Sequence, residues 1–164
     1  MKFLIYAGIG IATLWLQLTL APLVALFGMK ANLLLLTVLV IGLRWSDPWY
    51  FLYAAVAGLA ADVFSHGVLG IYGTSYFLVA LLARLTGVSV YENSLLFGLV
   101  EVFGLSLAEG LISLSLLELL DSTMPWWAWL LATAIPNAAY NSLWSPLAFF
   151  ALGRLQNLMK TAET

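Results

Sequence analysis

Apolar residues occur along this chain in long blocks, with polar residues gathered in the gaps and few inside the blocks. Blocks with no sustained polar face predict helices with apolar surroundings on every side. The gaps fall at Gly28-Met29-Lys30, Arg44 to Pro48, Ser65-His66-Gly67, Gly87 and Asp121 to Pro125. They divide the chain into six expected spans, at approximately 3–27, 31–45, 49–64, 71–86, 94–120 and 127–152. The first block is longer than the ~7–15 apolar residues of a signal-peptide core, so it reads as a retained span. Pro22 is expected to kink or end it towards Gly28. Ser46 or Asp47 can cap the third span, with Pro48 at its first position. No linker, low-complexity tract or evident repeat marks a second domain, so residues 1–164 read as one integral membrane domain.

The second block, Ala31–Leu43, is shorter than the ~20 residues that cross a bilayer core. It is bracketed by Lys30 and Arg44, which must snorkel unless the bilayer thins. A re-entrant hairpin is the competing reading, and the cations decide against it. With six crossings and the N-terminus inside, Lys2, Arg44, Arg84, Arg154 and Lys160 face the cytoplasm and Lys30 faces out. That is a strong positive-inside bias. Removing the second crossing would carry Arg84 and both tail cations outside. The expectation is an all-α, polytopic protein of six transmembrane helices with both termini cytoplasmic. The turn within residues 58–73 and the Trp126-Trp127-Trp129 cluster then lie on the outer side. Trp45, Trp49 and Tyr50 sit where an interfacial aromatic belt belongs, and Arg154–Thr164 reads as a short polar tail.

Composition sharpens this picture. The chain is 63% hydrophobic and 9% charged, against about 25% charged residues in a soluble domain. Its net charge of −2 gives nucleic acid no electrostatic footprint. It has no cysteine and one histidine, which removes disulfides, thiolate metal sites and multi-histidine sites. No metal or cofactor site is expected.

The unusual polar residues concentrate in Gly58–Gly73, GLAADVFSHGVLGIYG. Asp62 lies deep in an apolar helix, where an acid must be paired, protonated or held by backbone amides. It is either the cap of a tight turn or part of a packed polar hinge that contacts a partner. Ala54, Gly58 and Asp62 recur every fourth residue, a stripe that admits a close helix backbone. Gly67, Gly70 and Gly73 permit sharp turning and close approach beyond it. Glu101, Glu109 and Glu118 share the fifth span. A proton or cation path through Glu101, Glu109 and Asp62 competes with structural hydrogen bonding to Gln17, Asn32, Asn137 or Asn141. Asn137 and Asn141, on one face four residues apart, read as helix–helix glue ahead of a ligand pocket. His66, Ser65 and Asp62 are neighbours in sequence but make no recognisable hydrolase motif, so no enzymatic site is expected.

The stretch GLAADVFSHGVLGIYGTSYFLVALLARL resembles the signature of the rod shape-determining MreD family, through Gly58, Asp62, Gly67, Leu69 and Gly70. Gln17 with Pro22, Asn32 before LLLL, and Asn137 with Leu143-Trp144-Ser145-Pro146 match it more weakly and in order, Ser145 interrupting the family's Trp-Pro. The resemblance covers about residues 13–155. It implies a fold similar to the substrate-binding subunits of energy-coupling-factor transporters. It also implies a non-enzymatic scaffold in the bacterial cytoplasmic membrane, supporting sidewall peptidoglycan synthesis and rod shape. MreC is the implied direct partner. Through it the chain would reach the RodA-type glycosyltransferase, the class B penicillin-binding protein and MreB. The alternative is a small-molecule-binding subunit of an energy-coupling-factor-type transporter. A small-molecule binder needs an enclosed pocket with converging polar groups, whereas a scaffold needs an apolar or small-residue groove open to a partner helix.

Overall fold

The computed structural model describes residues 2–26, 28–44, 48–65, 68–86, 95–120 and 125–162, and its regular structure is entirely helical. In chain order the helices are α1 (Lys2–Thr19), α2 (Leu33–Arg44), α3 (Trp49–Ser65), α4 (Ile71–Thr86), α5 (Leu95–Glu118) and the single turn α6 (Trp126–Trp129). A π-helical stretch (Leu130–Ala134) then leads into α7 (Ile135–Ala162). Gly67, His66, the Ser46–Asp47 cap, Trp45 and Gly87 lie outside the described residues.

The shortest block becomes the centre. The 12 residues of α2 reach about 18 Å at ~1.5 Å per residue. Every residue from Leu34 to Leu43 is buried, and α2 touches α1, α3, α4, α5 and α7. Its uniform Leu/Val/Ile composition follows from having no outward face. Tyr50, expected in an interfacial belt, instead lies fully buried against α2. Its ring occupies the hollow left by Gly42, where a Cβ would overlap the phenol.

The other helices carry large apolar side chains outwards. Ile11, Trp15, Val56, Leu85, Val100, Leu131 and Leu143 are all exposed, while Asp62, Ser75, Glu109 and Asn141 are buried. In α5, Leu96–Glu118 is long and apolar enough to cross a membrane. Leu4–Thr19 and α2, α3 and α4 are apolar helices of shorter length.

The boundaries of α3, α4 and α5 lie within a residue or two of the expected spans. Two others differ. The first helix stops at Thr19, well short of residue 27. Pro22 cannot donate to the Leu18 carbonyl and its ring collides there, so the α-helix ends upstream of it. The chain turns at Gly28, whose φ of +82° suits glycine, while Leu26 and Met29 pair through both backbone N–H groups. At the other end, α7 runs on through Ala162, and the expected polar tail is helical to that point. The π-helical stretch precedes Pro136. That proline leaves the Ala132 carbonyl without its usual donor, and the wider turn accommodates it.

Candidate functional site

Among the described residues, three groups of polar side chains knit helices together around one region of the bundle. The first is the α3–α4 turn. Asp62, 1% exposed, accepts hydrogen bonds through Oδ2 from the Gly70 and Gly73 amides at 2.9 and 3.0 Å. Its Oδ1 accepts from the Tyr72 amide at 2.9 Å. These are donors that the first turn of a helix leaves unsatisfied, and the helix dipole favours an anion there. Gly70 has φ +100°, a conformation that L side chains resist. Asp62 is therefore a cap delivered from the preceding helix. The amides it holds are that of Gly70 in the turn and those of Tyr72 and Gly73 in the first turn of α4.

The second knot starts α2. Asn32 Oδ1 accepts from the Leu35 amide at 3.1 Å, an N-cap bond, and from the Tyr76 hydroxyl at 2.8 Å. Gln17 Oε1 accepts from the Leu33 amide at 2.6 Å. Asn141 Oδ1 accepts from the Asn32 amide at 2.9 Å. Because backbone N–H groups are the donors, these contacts require each carboxamide oxygen, not its nitrogen, to face α2. Tyr140 adds a hydroxyl bond to the Val24 carbonyl, and Trp144 packs edge-on to Tyr140 against the core.

The third knot is Glu109, whose Oε1 accepts from Ser113 at 2.8 Å and from Ser75 of α4 at 3.2 Å. Ser75, Ser113 and Tyr76 were not singled out from the sequence. Ser113 was within reach of it, since Ser106, Glu109 and Ser113 follow helical spacing on one face. Glu101 does not join this group: its Oε2 is buried without a hydrogen-bond partner. Asp62 and Glu109 are each held by their own donors, and among the described residues no hydrogen bond joins either of them to Glu101.

Between these knots lies a cavity of about 680 Å³, bordered by the α1–α2 turn, the end of α3, the starts of α4 and α7, and α5. Gln17, Asn32, Glu109, Asn137 and Asn141 all line it. Asn141 ties helices together, as expected of glue. Asn137 has no hydrogen-bond partner among the described residues and borders the cavity.

A second concavity, of about 330 Å³, is a groove between α1 and α3. Ala7 and Gly10 line one wall and Ala57 and Ala60 the other, with Ile11 and Val56 at its exposed edge. The expected partner face is elsewhere and is filled. Ala54 and Gly58 are buried. A Cβ on Gly58 would overlap the Tyr72 carbonyl and come within 2.7 Å of the Gly73 Cα. One on Gly73 would meet Leu59 at 2.9 Å. The Ala54–Gly58–Asp62 stripe therefore seats α4 of the same chain. Pro22 is exposed at the cavity border. No protein-family model, curated protein or solved structure matches this chain.

Proposed function

We propose that this chain is a multi-pass subunit of the bacterial cytoplasmic membrane, of the MreD type, acting as a non-enzymatic scaffold for sidewall peptidoglycan synthesis. Its residues are distributed as lipid would favour, with Asp62, Glu109 and Asn141 buried and many large apolar side chains exposed. Six crossings with cytoplasmic termini remain the arrangement that best satisfies the positive-inside rule.

The observation that carries the scaffold reading is the α1–α3 groove. Small residues on both walls let a helix backbone approach closely, which is how helices associate in lipid. The occupant we assign is the single membrane helix of an MreC-like bitopic partner, which would link this subunit to the RodA-type glycosyltransferase, the class B penicillin-binding protein and MreB. Gly10→Leu and Ala60→Leu fill the groove from opposite walls. Each should reduce co-purification of MreC at least tenfold at unchanged membrane level. Full co-purification by both variants removes the groove from the interface. Reporter fusions after Gly87 and at Thr164 should read cytoplasmic and those after His66 external; an external C-terminal reporter overturns six crossings.

The polar cavity favours a second reading, a small-molecule-binding subunit of an energy-coupling-factor-type transporter. Its size falls in the range of about 300–1,000 Å³ typical of ligand sites. Ligand uptake that depends on an energising partner would favour this reading over the scaffold.

A further inference from the structure

The cavity has a donor pattern that narrows what it can hold. Gln17, Asn32 and Asn141 each direct their carboxamide oxygen to the backbone of α2. Their NH₂ groups have no partner among the described residues, and all three side chains line the cavity. Ser106, 4% exposed, also lines it, and its hydroxyl has no hydrogen-bond partner. A buried hydroxyl left unpartnered is unfavourable, and a ligand that bonds to it would recover that cost. Glu109, which two serines serve through one oxygen only, lines the same cavity. Trp129 and Tyr72 add aromatic surface.

Net charge on the ligand is disfavoured from both sides. Glu109 and Lys30 both line the cavity, one charge of each sign, so an anion meets Glu109 and a cation meets Lys30. Hydroxyl groups suit both kinds of partner at once, because each accepts from an amide and donates to a carboxylate or serine. Aromatic faces beside such groups suit the C–H face of a ring. We infer that the cavity is a binding site for a neutral polyhydroxylated ring, the chemistry of a saccharide, either free or as the head of a lipid. The inference deepens the small-molecule reading without requiring transport, and it is compatible with a helix in the separate α1–α3 groove.

The test is a binding titration of the full chain in lipid nanodiscs, free of glycoside detergent, whose sugar head would compete. One arm adds cellobiose to the buffer; the other places monoglucosyldiacylglycerol in the disc. Saturable binding is expected in at least one arm, and the tighter arm identifies the source. Ser106→Ala should weaken it about tenfold, the loss of one hydrogen bond. Asn137→Ala should weaken it comparably, and both variants should melt within a few degrees of the parent. No saturable binding in either arm overturns the inference, as does saturable binding of inorganic phosphate or adenosine in place of sugar. Unchanged affinity in both variants removes the ligand from this cavity. Sugar binding without uptake into vesicles keeps the site and sinks only the transport reading.

Discussion

The two sides of α3 use the same kind of residue to opposite effect. On one side Ala54 and Gly58 are buried under α4, so closely that Gly58 has no room for a methyl group. On the other, roughly 200° round at ~100° per residue, Ala60 stands in a groove that no helix of the chain fills. Small residues thus mark close approach on both sides, but only one approach is completed within the chain. The stripe ending in Asp62 is finished by its own polypeptide, and the Ala57–Ala60 side is left open by it.

This contrast breaks most sharply at Gly58. Gly58→Leu forces a side chain into the Tyr72 carbonyl, a backbone obstacle that rotamers cannot relieve. We expect a loss of about 4 kcal/mol or more, read as failure to yield monodisperse protein after extraction. Normal folding with selective loss of MreC would instead return the partner interface to this face. Asp62→Leu comes next. It strands three donors, at roughly 1 kcal/mol or more each, so about 3 kcal/mol is expected. Asp62→Asn keeps an oxygen for Gly70 and Gly73 but turns an NH₂ towards the Tyr72 amide. It should cost about half as much, as a smaller drop in thermal unfolding midpoint. Equal drops for Asn and Leu would mean that the carboxylate charge, not hydrogen-bond capacity, holds the turn. Ala60→Leu, on the open side, should leave the midpoint within about 0.5 kcal/mol of the parent. A large destabilisation there would show that the two sides are packed alike. The smallest effect belongs to Glu101→Gln. Its Oε2 already lacks a partner, so stability and MreC association should change by less than about 0.5 kcal/mol.

Much of the helical layout was legible because the gaps are chemically emphatic. Gly70, Pro48 and the polar residues beside them mark where α3 and α4 start and stop, and the structure follows them. Pro22 was read correctly as a breaker but too late, because a proline acts on the turn before it. The C-terminal extension of α7 was hidden by composition: polar residues after Arg154 suit a tail and an exposed helix equally. The short length of Ala31–Leu43 was visible, but its central place was not, since periodicity cannot distinguish a helix wrapped in lipid from one wrapped in protein. At the site, Asp62 and the amides it holds lie close in sequence and could be anticipated. Ser75 and Glu109 are 34 residues apart, and no local pattern links them. The spacing of Ala54 and Gly58 announced close packing without saying which helix would supply it.

The amide that opens α2 has a consequence for how the molecule is made. Asn32 leaves the ribosome 109 residues before Asn141, whose oxygen its N–H requires. At ~5–20 residues per second, that interval lasts roughly 5–20 s. Throughout it, the helix destined for the interior has one flank uncovered, because α7 has not yet been synthesised. The core therefore closes last and from the C-terminal side. A nonsense mutation ahead of α7 would consequently release more than a shortened chain: it would release a bundle whose central helix was never enclosed, a substrate for quality-control proteases.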